Sequence, residues 1–512
     1  MAGVEISAVL QRKERPAPAI ELGGWPRPWI AARAWGVLAW IVPFLVYLRT
    51  LAPTIYGLDS VELTTGAYVL GIVHAPGSPL YLILGHLFTW LPVGDVGYRL
   101  NLMSACAAAL TAYFIYRILL LLSRDRLVAL ATTWTLAFTY YVWVSAVAAE
   151  IYALHGTFVA GLLWLGLAWR QQGRPWQLVA LALLFGLGLG NHLSLAVLAP
   201  GFAWLVLSAP SRPWRRPRLL LAAGAAGLVG ACIYLYLPLR HLSNAPLDYA
   251  RDYWRVNLAT WDGFWWMVSG RMFDSLFWAV PAERLPAELL RYAHQLWSNF
   301  LGLGIFLGLG GLVADFRRRP AFHLALLLMF AAHLAFYLSY GAGDKELMFL
   351  PTYLIWGLWL GMGARILREQ VARRAREEYH LVVPGTLLLL ALSGLVLNFR
   401  YVDLSDDRSS RQVGEKILAA VDEEAWYFGM WGDIPVLEYL QLVEGQRLDV
   451  TPVNLIFTGQ QEGARLAYEK LRAGYPVYTS ARALPLPSKA TLQHVPRCGC
   501  YRVVHTVQRN RK

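Results

Sequence analysis

The feature that most constrains this chain is the recurrence of apolar runs of about 18 to 22 residues, each long enough as a helix to cross a hydrocarbon core of roughly 30 Å. Residues 34–51, 100–122, 127–144, 219–237 and 381–397 are examples. With 57% hydrophobic and only 15% charged residues among 512, an ordinary soluble fold is excluded. The expected class is a polytopic α-helical membrane protein.

The basic residues supply the topology. A formal charge of +13 raises the question of nucleic acid, but Lys and Arg cluster between the apolar runs and form no stripe interleaved with aromatics. Arg12, Lys13, Arg15, Arg27 and Arg33 precede the first run, which places residues 1–33 in the cytoplasm. The later clusters at 124–126, 170–174, 212–218, 317–319 and 373–376 fall on that same side if the chain crosses about eleven times. Residues 34–398 then form the transmembrane domain, with large external loops at 52–99 and 239–295. The stretch LYLILGHLFTWLP is too short to cross and reads as an interfacial or re-entrant helix. In the second loop Trp254, Trp261, Trp265 and Trp266 suit the water–lipid boundary. The first residues have no signal-peptide layout, so no cleavage is expected.

After Asn398 the composition changes. AWYFGMWGD, LDVTPVNLIF and YPVYTS read as short strands, separated by helix-like IPVLEYLQLVEG and GARLAYEKLRAG. Residues 399–512 are therefore expected to form a small external α/β domain. Cys106 and Cys232 sit in apolar runs as packing residues. Cys498 and Cys500 lack the second ligand pair of a zinc site, leaving a disulfide or two free thiols.

Chemistry concentrates in LAPTIYGLDSVELTTGAYVLGIVHAPGSPLY, after the first apolar run. Asp59 and Glu62 are three apart and share a face if the segment is helical; the plainer alternative is a solvated helix start with Asp59 as cap. His74 is equally readable as a turn residue stiffened by Pro76, Gly77 and Pro79. Glu150, His155, Asn191 and His192 reach the same face under this topology, where ionisable groups near membrane depth are costly without a purpose. Arg240, Arg251, Arg255 and Arg271 are cations on the outer side, suited to an external phosphate or to anionic head groups. Asp344 and Glu346 are further binding candidates, with pairing to Lys345 as the alternative.

The strings GLDSVELTTGAYVLGIVHAPGSPLYLILGHLF, GDVGYRLNLMSACAAALT, AEIYALH, GLGNHLS, YLPLR and GDKELMFLPTY resemble the bacterial family called domain of unknown function 2723. That family is similar to protein O-mannosyltransferases of the GT-C glycosyltransferase superfamily. Val61 stands where relatives usually carry glycine, and Ala75 and Ser78 where they often carry Pro and Tyr. The resemblance implies a GT-C-like inner-membrane enzyme that transfers a mannose-like sugar from a polyprenyl-phosphate donor to a hydroxyl of a protein or glycan acceptor at the outer face. It implies Asp59 as catalytic base, Glu62 as its helper and Arg240 on the donor phosphate. His74, Glu150, His155, Asn191 and His192 match family positions without an assigned role. No nucleotide sugar, cofactor, metal or nucleic acid is expected. A transporter or flippase, and a non-catalytic envelope assembly factor, are the alternatives; a transporter predicts discontinuous helices and a polar site near the midplane, often with repeated halves, whereas the polar groups here gather toward one face.

Overall fold

In the computed structural model, residues 29–343, 345–374, 377–481 and 484–505 are described. The basic residues Arg12, Lys13, Arg15 and Arg27 of the expected cytoplasmic segment lie outside them, as does Asp344.

Among the described residues, six helices are long and apolar enough to cross a membrane: Val96–Ser123, Ile151–Gln172, Pro217–Leu242, Pro320–Ser339, Leu347–Arg374 and Tyr379–Val402. Two further pairs qualify only when joined. Arg126–Ala137 with Tyr140–Val147 bends by 66°, and Ala282–Asn299 with Leu303–Phe316 bends by 103°. Shorter apolar helices, Ala34–Arg49, Pro175–Leu189 and Leu193–Leu207, stand where the charge pattern expects three more spans, and LYLILGHLFTWLP forms the short helix Pro79–Phe88. Six to eight full-length spans thus face an expectation of about eleven. The difference lies in helices that stop early or turn sharply.

Local chemistry explains several boundaries. Pro175, Pro217 and Pro320 each occupy the first helical position, where the missing N–H costs nothing. Asp125 caps its helix by accepting from the Leu127 and Val128 N–H groups, both at 3.1 Å. At the opposite kind of end, Gly173 takes a φ of 65° and closes Ile151–Gln172. The basic ends of several helices meet. Arg319 donates to the Leu122 carbonyl at 2.7 Å and Arg365 to the same oxygen at 3.2 Å, while Arg368 pairs with Asp125. This gathers basic residues at one end of the bundle, in keeping with the charge alternation.

Leu347–Arg374 is the most enclosed helix and packs against Leu303–Phe316 at bare backbone. A Cβ at Gly311 would stand 1.9 Å from the Trp359 carbonyl oxygen, and one at Gly363 would stand 1.9 Å from that of Leu307. Only glycine permits this crossing.

The C-terminal part carries one five-stranded sheet in the order β2-β1-β3-β5-β4, with β1 Trp426–Gly429, β2 Thr451–Asn454, β3 Val477–Thr479, β4 Ala490–Val495 and β5 Cys500–His505. β1 pairs parallel with β2 and β3, and helices Ile434–Leu442 and Gln460–Arg472 lie in the crossovers. LDVTPVNLIF is strand only through Asn454, whose side chain accepts from the Ile456 N–H at 3.0 Å and starts the short helix Leu455–Thr458. The antiparallel β4–β5 hairpin escapes the sequence reading because β4, ATLQHV, lacks a buried face. Cys498 and Cys500 are disulfide-bonded at its turn.

This sheet part does not stand apart from the membrane helices. Val61, Leu63 and Ala67 of the helix Asp59–Val69 share one apolar core with Val436, Leu437 and Leu440 of Ile434–Leu442. Arg411 adds a polar tie, reaching Glu444 at 2.6 Å and Asp95 at 3.4 Å. The sheet therefore sits directly over the loop that carries Asp59.

Candidate active site

Asp59 opens the helix Asp59–Val69, so Glu62 follows on the same face. Leu58 before it holds φ 60° and ψ −134°, a conformation that a side chain disfavours. The helix ends at Leu70 in the left-handed region, and the Gly71 N–H returns to the Gly66 carbonyl at 2.7 Å. That reversal carries residues 72–74 back along the helix. Ile72 bonds the loop around Asp248, with its N–H on the Leu247 oxygen at 2.8 Å and its carbonyl accepting from Tyr249 at 3.0 Å.

His74 lands on Glu62. Glu62 Oε1 accepts the His74 backbone N–H at 2.6 Å, and Oε2 lies 2.5 Å from Nδ1 of the ring. One donor atom from each of Asp59, Glu62 and His74 lies within 4.8 Å of the others. Two carboxylates and an imidazole at this spacing form a set that can hold a proton or a divalent cation. Asp59 Oδ1 accepts from Trp431 Nε1 at 2.7 Å, a side chain 372 positions away on the sheet part. The Trp431 and Phe273 rings both stand edge-on to His74, at centroid distances of 6.1 Å.

The electrostatics follow from burial and pairing. Burial pushes the Glu62 carboxyl up from its ordinary range, while the charge and hydrogen bond of His74 pull it back. For His74, burial favours the neutral ring, but the Glu62 charge and hydrogen bond outweigh it, with help from Asp59 and Glu150, and hold the imidazole at about 9. The Glu62 charge therefore favours the protonated ring of His74. Asp59, half-buried, lies beside it.

The other sequence candidates divide. Glu150 stands just before the helix Ile151–Gln172, at its N-cap position, and acts electrostatically on His74, so it belongs to this group. His155, Asn191 and His192 form a network of their own. The His155 and His192 rings lie 4.9 Å apart, and the Ser194 hydroxyl stands 3.3 Å from His155 Nε2 and 2.7 Å from His192 Nδ1. Asn191 is fully buried and spends its amide on the Ile151 carbonyl at 3.1 Å. Arg240 serves the Asp59 helix from its other end, donating Nε to the Leu70 oxygen at 2.7 Å and Nη2 to that of Val69 at 3.2 Å. This places a cation at a helix C-terminus. Lys345 does not pair with Glu346; it meets Glu288 at 3.1 Å, and Glu346 stands near Tyr141 and Tyr353. Arg251 is occupied by Asp252 at 2.7 Å.

Residues that sequence reasoning missed come from the sheet part and the second loop: Trp431, Glu438, Phe457, Tyr249 and Tyr253. The Trp431 ring touches Phe457 at 4.9 Å and Tyr249 at 6.1 Å, and both tyrosine hydroxyls donate to Glu438. Their only signal in the chain is aromatic density in YARDYW and GMWGD.

A bundle of apolar helices under a small sheet, with carboxylates gathered at the loop between them, has counterparts of the same fold among solved structures. The chain is similar in fold to ArnT from Cupriavidus metallidurans: in the apo state the TM-score is 0.60 at 14% identity, covering 92% of this chain and 98% of that one. The ArnT structure bound to undecaprenyl phosphate gives 0.59 at 14% identity, covering 93% and 99%.

A narrower relationship covers the site itself. Residues 59–215 match the family described as protein O-mannosyl-transferase TMEM260 N-terminal domain. The protein O-mannosyl-transferase TMEM260 of Mus musculus is 29% identical over 207 residues, 39% of this chain and 29% of that protein. Its namesake in Dictyostelium discoideum is 28% identical over 133 residues, 25% of this chain and 16% of that protein. The match thus spans less than a third of either relative. It begins at Asp59 and includes Glu62, His74, Glu150, His155, Asn191 and His192, while Arg240 and Glu346 lie beyond it.

Proposed function

We propose that this chain is a membrane glycosyltransferase that moves a mannose-like sugar from a polyprenyl-phosphate donor to a hydroxyl of a polypeptide at the outer face of the inner membrane. The observation that carries this reading is the half-buried Asp59 carboxylate, aimed by Trp431 and set beside the closed Glu62–His74 ion pair. The names of the TMEM260 relatives support a protein acceptor, and the undecaprenyl phosphate held by ArnT supports a lipid-phosphate donor.

In the reaction, Asp59 takes the proton of the acceptor hydroxyl as its oxygen attacks the anomeric carbon from the face opposite the phosphate. The bond from that carbon to the phosphate oxygen breaks, and the phosphate leaves with the electron pair, so the anomeric centre inverts. Charge builds on the leaving phosphate, and cations stabilise it. His74 is one such cation. Arg240, the sequence candidate for the donor phosphate, grips the far end of the Asp59 helix through Nε and Nη2. Asp59, Glu62 and His74 are the group able to hold a metal among the described residues, but the His74 charge already balances Glu62, and the reaction is written without a metal.

The test is single-turnover transfer from a polyprenyl-phosphate mannose to a serine- and threonine-containing peptide by the purified chain. Asp59→Asn keeps size and the Trp431 hydrogen bond but is a far weaker base, so the rate should fall at least about a hundredfold while donor affinity holds. Excess chelator should leave the wild-type rate unchanged. Transfer by Asp59→Asn at the wild-type rate would remove the catalytic assignment.

A further inference from the structure

Next to the Asp59 group, and divided from it by the Trp431 ring, the second loop and the sheet part line an open cleft of about 700 Å³. Glu438 stands in its wall with 8% of its surface exposed. Its Oε2 accepts from the Tyr249 hydroxyl at 2.5 Å and its Oε1 from Tyr253 at 3.0 Å. A carboxylate offers about four lone-pair positions, so two remain.

Most other charges in the wall have partners, and Arg255 is a cation at the same wall with no ion pair among the described residues. Asp252 is held by Arg251 at 2.7 Å. Arg465 is held by Glu462 at 2.6 Å and by Glu469 at 3.3 Å, and Arg255 acts across the rim on Glu462. Glu438 alone has no cation within ion-pair distance among the described residues. Burial, opposed only by the two phenols, lifts its carboxyl to about 8. A positive ligand would favour the ionised form that burial alone disfavours.

The same wall carries three aromatic rings in mutual contact. Tyr249 and Tyr253 lie 5.1 Å apart, Tyr249 and Phe457 5.6 Å, and Tyr253 and Phe457 5.2 Å. Ring faces attract ammonium and guanidinium groups, most strongly where water is thin.

We propose that this cleft binds an organic cation, with Glu438 as its counter-charge and Tyr249, Tyr253 and Phe457 as its aromatic walls. Resting on the transfer reading above, the occupant is a lysine or arginine side chain of the acceptor polypeptide. Trp431, which touches both Tyr249 and Phe457 and bonds Asp59, then connects recognition of that side chain to placement of the neighbouring hydroxyl.

The experiment is equilibrium dialysis of the full chain in detergent with a labelled peptide, acetyl-Ala-Lys-Ser-Ala-amide, against the same peptide carrying norleucine for lysine. The lysine peptide should bind at least about tenfold more tightly, as a desolvated charge pair requires. Glu438→Gln should erase that preference, and Asp59→Asn should retain it. Equal binding of the two peptides by the wild type overturns the proposal without recourse to any variant, and so does a preference that survives in folded Glu438→Gln. A lysine preference in a protein that transfers no sugar would uphold the cation site and refute the transferase reading alone.

Discussion

Glu62→Gln should cost stability in a way that depends on pH, and the size of the effect follows from the pair. Glu62 has no exposed side-chain surface and the His74 ring keeps 19% of its own, so solvent screens their contact weakly. The imidazole is held at about 9 against an ordinary 6.5. At 1.36 kcal/mol per unit, that difference corresponds to about 3 kcal/mol of native-state stabilisation from the imidazole, reduced by the cost of ionising the buried Glu62 carboxyl, itself raised. Because the folded-state value lies above the unfolded one, the stabilisation is complete below about pH 6.5 and is lost as pH rises through about 9. Chemical unfolding in detergent should therefore show wild type well above Glu62→Gln near neutrality, with the gap narrowing by about 3 kcal/mol on going to about pH 10. His74→Gln should show the same narrowing, and the double variant should lose little beyond either single one, because each change breaks the same contact. A gap that stays constant from about pH 6 to 10 would mean that His74 and Glu62 meet as neutral partners, and the imidazolium at the site would be lost from the mechanism.

Arg240→Ala removes two charge-assisted hydrogen bonds to the end of the Asp59 helix and should lower stability by about 1.5 to 3 kcal/mol; donor binding should weaken by one to two decades if the guanidinium also meets the phosphate, and unchanged donor affinity would confine Arg240 to the helix end. Trp261, Trp265 and Trp278 are 73%, 50% and 72% exposed, whereas Trp254 and Trp266 pack against each other at 5.4 Å, so brominated lipids should quench fluorescence that disappears on replacing the first three by Ser and persists on replacing the latter two.

The apolar helices were legible because hydrophobicity acts over long windows, while the expected count of about eleven spans meets six to eight among the described residues, with Arg319, Arg365 and Arg368 gathered at one end. What the windows do not carry is helix direction: LPAELLRYAHQLWSN and LGIFLGLGGLVADF are adjacent in sequence, yet Leu301 and Gly302 take positive φ and turn the second by 103° from the first. At the site, Asp59, Glu62 and His74 were readable together because a helical turn and a proline-rich return are local. The place of Arg240 at the helix end was not, since a phosphate ligand and a helix cap use the same guanidinium and differ only in what lies opposite. Trp431 and Glu438 were invisible for a further reason: their meaning arises from contacts with Asp59 and Tyr249 across 372 and 189 positions.

Those long-range contacts bear on how Asp59 is held. Three distant segments restrain one helix of eleven residues: Trp431 at its first residue, His74 at its first turn and Arg240 at its last carbonyls. Leu58, just ahead of it, sits at φ 60° and ψ −134°, a region that costs a side-chain-bearing residue about 1 to 3 kcal/mol and persists only where the surroundings impose it. Its side chain is 54% exposed and gives little burial in return. Leu58→Gly should therefore stabilise the fold by about 1 kcal/mol, the relieved strain being partly offset by the freer unfolded chain. If the strain also aims Asp59, the same variant should transfer sugar more slowly at unchanged donor affinity, because a helix start released from its fixed angle lets the carboxylate drift from the attacking hydroxyl. Unfolding and single-turnover transfer measured on one preparation separate the two effects. A Leu58→Gly protein that is less stable than wild type would show that the Leu58 conformation is unstrained in place, and the link from backbone strain to the placement of Asp59 would fall with it.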